Sequence, residues 1–433
     1  EDYPRPLLAW ITVAALFFAY IISFVDRMII GLLVDPMKRD LGLSDTGISL
    51  LHGFAFAVFY TFAGIPIARL IDRSSRPRII AAGMALWSLM TMLCGLSVHY
   101  WQLFLARIGV AVGEATLSPA SYAIISDSFP PRRLGIAMGV YSLGSVLGAG
   151  LAFLFGAVVI SFVAQSEEVA LPGVGVVRIW QAAFLLVGLP GLIMAPLYLA
   201  LRDPKRAGRE ITSDDLATMG EVIGFCRRKT RLLLGTFLGV GFINICVFAT
   251  VSWLPAFYVR AHGLPLADSG YTAGAALIVG GLIGYLGGGR FCDRIGGAPH
   301  QRLYFAGIVA ATGVITGALF PLVNQDLIAT ILYEFCFAAM AAPTGAAVSA
   351  LQQITPSDMR ATLSAAYLFV INIVGMTIGP TITALIGDIY FPQPDGIRYA
   401  MAIVASLGFI GASVLFWVAA RAAGGEYQTE TMT

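Results

Sequence analysis

The sequence predicts an all-α integral membrane protein: twelve transmembrane helices in two pseudo-symmetric six-helix halves. Three observations carry that expectation. The first is composition: 58% of the 433 residues are hydrophobic and 12% are charged, with a mean hydropathy of +0.81. A soluble chain holds roughly 45–50% apolar and about 25% charged residues, so this one has too little polar material to coat a soluble surface. The second is a succession of apolar runs, each near the roughly 20 residues that a helix needs to cross a bilayer. The third is a pair of loop motifs that recur at a fixed offset.

In chain order the expected spans are 7–34, 46–71, 79–98, 100–124, 134–163, 178–201, 231–259, 269–291, 303–323, 326–350, 361–389 and 396–420. None alternates in polarity, which excludes the strands of a membrane β-barrel. The first run has no basic n-region and no small-residue cleavage site, so it reads as a retained helix. Most connections are short and join antiparallel neighbours. The exception, 202–230, is long and charged, and it divides the chain into a half at 1–201 and a half at 231–433. Within it, "TSDDLATMGEVIGF" has the pattern of a short amphipathic surface helix capped by Thr212 or Ser213.

Placing the N-terminus inside puts twenty Lys and Arg on the cytoplasmic face and five outside, with Arg27 and Arg107 within spans. By the positive-inside rule both termini and the central loop are then cytoplasmic, in the inner (plasma) membrane. A net charge of +2 gives no support to nucleic-acid binding. The five cysteines are scattered and no ligand cluster stands out, so neither disulfides, a metal nor a cofactor is expected.

The repeat is specific. "ARLIDRSSRPR" follows span two and "GRFCDRIGG" follows span eight; Arg69 and Arg290, Asp72 and Asp293, and Arg73 and Arg294 are each 221 positions apart. Arg133 with Arg360 and Gly148 with Gly375 are both offset by 227. Repeated halves are the mark of secondary transporters, whose site lies near the midplane.

"GIPIARLIDRSSRPR" resembles the loop signature of the major facilitator superfamily, although Gly64 stands further from Asp72 than in the consensus and Ser75 replaces the loop glycine. More narrowly, "FVDRMIIG", "RIGVAVGEATLSPASYAIISDSFPPRRLGIAMGVYSLGSVLG" and "SWLPAFYVRAHG" resemble the spinster branch. The resemblance spans the whole chain. It implies the major facilitator fold, alternating access, a central cavity lined by spans one, four, seven and ten, and a lysolipid or sphingoid-phosphate type of substrate.

Five charges fall within spans: Asp26 and Arg27 in span one, Arg107 and Glu114 in span four, Glu334 in span ten. Each costs roughly 2.5–3.5 kcal/mol at a helix centre, so such residues face cavities or partners. At 1.5 Å per residue, Asp26, Arg107 and Glu334 share a layer roughly 10–12 Å from the outer surface, and Glu114 lies about 10 Å deeper than Arg107 on nearly the same face. Asp26 and Glu114 are the expected proton-coupling acids, because burial and a neighbouring guanidinium act on a carboxyl in opposite senses. Arg27 and Arg107 are the expected contacts for an anionic headgroup. The alternative is a pair of fixed struts, Asp26–Arg107 and Arg27–Glu334.

Aromatic and amide residues on the expected cavity spans, Phe56, Tyr60, Asn244, Trp253, Tyr367 and Asn372, complete an amphipathic pocket with Glu334. His52 reads as a packing histidine. Arg69, Asp72, Arg73, Arg76, Asp293 and Arg294 form the expected cytoplasmic gate, which clamps the halves shut on the inside. Gly144, Gly148 and Gly375 suit close helix contact. With no nucleophile–base set, P-loop or HExxH, an enzyme is disfavoured, and the repeated gates argue against a channel. The expected function is proton-coupled transport of a small amphipathic substrate by a monomer in the lipid bilayer, with a multidrug or organic-anion antiporter as the alternative.

Overall fold

The structure is a computed structural model and describes residues 3–163, 168–171, 175–204, 218–295, 297–356 and 359–432. Among them twelve helices are long and apolar enough to cross a membrane: Pro6–Gly31, Asp45–Ile71, Arg76–Gly95, Tyr100–Ser128, Ile136–Phe162, Ile179–Ala200, Thr230–His262, Leu266–Cys292, Pro299–Leu319, Asp326–Ile354, Ile371–Tyr390 and Pro394–Gly425. Each overlaps its expected segment. Apolar side chains such as Ile11, Phe62, Leu105 and Phe162 stand exposed along them, as a lipid-facing surface requires.

Several spans are interrupted. Span one is α-helical to Met28 and closes in a 3₁₀ turn at Ile29–Gly31. Span four breaks between Glu114 and Leu117. π-Helical turns occupy Leu50–Phe54, Ile283–Gly287 and Ile371–Ile378. Such turns redirect backbone groups and favour functional positions.

Two features depart from the expected pattern. Antiparallel strands pair Glu168–Leu171 with Gly175–Arg178, in register Glu168↔Arg178, and Gly175 takes a positive φ of 95° that glycine adopts at no steric cost. The surface helix is Met219–Arg228, later than expected. Thr218 caps it in a reciprocal box with Glu221, whose carboxylate accepts from the Thr218 N–H at 2.7 Å. The expected caps Thr212 and Ser213 lie outside the described residues.

The chain divides into two units. One takes in residues 1–208 with Leu254–Val259 and Gly263–Ile278; the other takes in 209–253, Arg260–His262 and 279–433. Within the first, Gly148 of span five lies against span one, where a Cβ would meet Phe24 Cβ at 2.6 Å. Within the second, Gly375 lies against span seven, where a Cβ would meet Asn244 Cβ at 2.6 Å. The two glycines related by the repeat thus serve the same close approach, each in its own unit.

The tightest crossing beside the charged residues joins spans three and four. A Cβ on Gly113 would stand 2.7 Å from the Trp87 nitrogen, 2.8 Å from Trp87 Cβ and 2.9 Å from the Gly83 carbonyl oxygen. Backbone cannot yield as a flexible side chain does. Gly113→Ala therefore forces the spans apart and costs about 1–3 kcal/mol, read as a lower melting temperature in detergent. Gly139→Ala, where nothing lies within 4 Å, melts at or slightly above the parent.

Candidate functional site

The site assembles where span one loses its α-helical ladder. Carbonyls of a last turn have no partner within the helix, and Arg107 of span four supplies one. Its Nη1 donates to the Asp26 carbonyl at 3.1 Å and its Nη2 to the Arg27 carbonyl at 3.4 Å. The layer expected for Asp26 and Arg107 from helical rise is the one observed, but the contact is to backbone. The Asp26 carboxylate is fully buried; neither of its oxygens makes a hydrogen bond of ordinary geometry, and the donor that faces it is the Trp87 indole.

One residue on, Arg27 points to a different neighbour. Its Nε and Nη2 donate to Glu114 Oε2 at 3.2 and 2.6 Å, and Ser23 Oγ donates to the same oxygen at 2.7 Å. Ser23 and Arg27 are four apart and share a helix face, as Arg107 and Glu114 do at seven. The pair is buried, with side-chain exposures of 7% and 0%. Aromatic rings enclose the guanidinium: its carbon lies 4.3 Å from the centre of Phe56, 4.6 Å from Phe24 and 5.2 Å from Tyr60. Phe56 and Tyr60 stack with centroids 5.5 Å apart. Phe56 also lies 5.6 Å from the Arg107 guanidinium, so one ring serves both cations. His52 is buried in the π-helical turn that precedes it.

The Asp26–Arg107 strut weighed from the sequence is replaced by a contact to backbone. Arg27 takes Glu114, and Arg107 takes main-chain oxygens. Chemically this leaves one committed ion pair and one buried acid that makes no close hydrogen bond. A guanidinium binds carboxylate or phosphate through the same fork, so an anion entering here competes with Glu114 for Arg27.

Residues 16–380 match the family model described as Major Facilitator Superfamily. The chain belongs to that superfamily. It is therefore a transporter and not an enzyme. An MFS-type efflux pump of Mycolicibacterium smegmatis is 28% identical over 430 residues, covering 96% of this chain and 94% of that protein. A probable L-galactonate transporter of Escherichia coli is 26% identical over 321 residues, 71% of this chain and 67% of that one. Among solved structures, a bacterial homolog of the human lysosomal transporter spinster, crystallised inward-facing and unoccupied, matches with a TM-score of 0.82 and 24% identity, over 97% of this chain and 98% of that one. That likeness shows the major facilitator fold.

Of the expected gate residues, Arg76 has its side-chain partners within the first unit. It is 2% exposed, and its Nε donates to Asp203 Oδ1 at 2.6 Å, its Nη1 to Asp127 Oδ2 at 2.5 Å and its Nη2 to the Pro204 carbonyl at 2.6 Å. Its own N–H donates to Asp203 Oδ2. Every donor group it carries is used within the first unit, where it ties the start of span three to the ends of spans four and six. Arg69, Arg73 and Arg294 are exposed; the side chains of Asp72 and Asp293 lie outside those described.

In the second unit, Trp253 is buried and donates from Nε1 to the Pro380 carbonyl at 3.1 Å, closing span seven onto span eleven. Asn244 donates to the Val240 carbonyl of its own helix at 3.0 Å. Tyr367 is buried edge-on to Phe237. Asn372 sits in the π-helical turn of span eleven, and Glu334 is half-buried. Sequence reasoning missed Ser23, Phe24, Asp127 and Asp203. Ser23 alone carried a usable signal, one helical turn before Arg27.

Proposed function

We propose that this chain is a proton-coupled secondary transporter, working by alternating access, for an amphipathic, lipid-like anion or zwitterion of the lysolipid or sphingoid-phosphate type. The observation that carries the reading is Arg27, held under aromatic rings by Glu114 and adjacent to a buried acid that makes no close hydrogen bond. Rings around a guanidinium suit a ligand whose charged group is attached to apolar bulk. A buried carboxylate without a close hydrogen bond is costly, and a neutral carboxyl there costs far less. A proton on Asp26 therefore stabilises the arrangement described, and its loss favours a rearrangement in which Asp26 meets a cation. An anion that displaces Glu114 from Arg27 couples substrate to the same network. The transporter acts as a monomer in the plasma membrane with both termini cytoplasmic, an orientation supported by the twenty-to-five basic asymmetry.

A second reading, transport of a smaller organic anion, is favoured by the similarity to a probable L-galactonate transporter and by the same guanidinium chemistry. The two are separated in liposomes that hold the purified chain under an imposed pH gradient. Uptake of a sphingoid phosphate or lysophospholipid is expected to saturate, to follow the gradient and to stop when an ionophore collapses it. Flux of a sugar acid alone, or of a cationic dye alone, overturns the lipid-like assignment, and saturable flux indifferent to the collapsed gradient overturns proton coupling.

A further inference from the structure

We infer that the basic cluster at the start of span seven is a binding site for the phosphate headgroup of an anionic membrane phospholipid. The run "RRKTR" places Arg227, Arg228, Lys229 and Arg231 within five residues. They line one open surface depression of about 350 Å³ together with Ala422 of the last span's helix, and no acidic side chain lines it among the described residues. A topological role accounts for how many basic residues this face carries. The same run also borders a depression whose volume is within the range of small-ligand sites.

The helix leading into the cluster supports a lipid as the source of the phosphate. Met219–Arg228 buries Val222 and Phe225 on one face and leaves Met219 and Ile223 exposed at 65% and 47%. Met219, Ile223 and Arg227 are spaced four apart and form one stripe, apolar for two turns and then cationic. That is the distribution of a helix lying in the membrane interface, with acyl contacts beside headgroup contacts. The turn that presents the cations is fixed: Thr230 Oγ1 donates to the carbonyls of Cys226 and Arg227 at 2.9 and 2.8 Å, and Lys229 Nζ lies 5.7 Å from the centre of the Phe225 ring. Arginine forks hold phosphate oxygens in pairs, and juxtamembrane basic groups of this size are drawn to anionic leaflets. The site lies wholly in the second unit and does not depend on the transport reading.

The full chain in detergent is titrated with dioleoylphosphatidylglycerol, dioleoylphosphatidylcholine and free glycerol phosphate, and bound lipid is counted by native mass spectrometry. Phosphatidylglycerol is expected to be retained in preference to phosphatidylcholine, and glycerol phosphate is expected not to compete at matched concentration. Arg228→Gln with Arg231→Gln lowers the affinity about tenfold or more, while Arg39→Gln with Arg133→Gln, the same loss of charge elsewhere, leaves it unchanged. Equal retention of both lipids overturns the site, and so does an equal loss in the two double variants, which marks net-charge attraction alone. Glycerol phosphate binding as tightly as the lipid overturns the membrane source. Circular dichroism of each variant in phosphatidylcholine confirms that a lost affinity is not a lost fold.

Discussion

Arg27→Leu is expected to destabilise the folded chain by about 3–5 kcal/mol, the cost of leaving one member of a buried ion pair uncompensated. Glu114 Oε2 draws two of its three donors from the guanidinium, at 2.6 and 3.2 Å, and only Ser23 is left once Arg27 is removed. The leucine fills much of the same space and is welcome among Phe24, Phe56 and Tyr60, so the loss falls on the stranded carboxylate and not on a cavity. The double variant Arg27→Leu/Glu114→Gln removes that charge and recovers most of the stability, because a neutral amide is far cheaper to bury. The readout is a double-mutant cycle from denaturation in detergent. Substrate flux is lost in both the single and the double variant, which separates the fold's need for a balanced pair from the transporter's need for a cation. If Arg27→Leu falls within about 1 kcal/mol of the parent, solvent reaches the pair and the site as described is wrong.

What could be read from the sequence here divides along physical lines. The twelve spans were legible because a bilayer imposes a length and tolerates few charges, and that constraint acts on every span alone. Depth was legible for the same reason: a constant rise per residue placed Asp26 beside Arg107. Choice of partner was not. Whether Arg107 meets the Asp26 carboxylate or its carbonyl depends on how each helix is rotated about its axis, and rotation is set by contacts such as Gly148 on Phe24 that no periodicity announces. Arg76 shows the same limit. Its Asp203 partner is 127 positions away in the chain, and nothing in "DRSSRPR" announces it. The cap of the surface helix was within reach. "TMGE" carries the Thr-x-x-Glu spacing of a capping box, but the earlier run of Thr212, Ser213 and acids offers competing caps.

Asp26→Asn is expected to separate folding from coupling. Neither oxygen of Asp26 accepts a hydrogen bond of ordinary geometry, so the amide forfeits no close partner. Stability in detergent stays within about 1 kcal/mol of the parent, the cost of one more imperfectly paired polar group. The chemistry changes completely, because the amide presents the neutral form at every pH. Exchange of substrate across a membrane at equal pH therefore continues, and its rate no longer varies with pH. Accumulation against a gradient, which requires a proton to arrive and leave in each cycle, falls to the level of empty liposomes. Glu114→Gln behaves differently: it weakens the hold on Arg27 and alters substrate affinity together with stability. Concentrative uptake that persists in Asp26→Asn removes Asp26 as the proton site. Glu114, the other expected proton-coupling acid, whose Oε1 is buried and meets no donor, is then the acid to test.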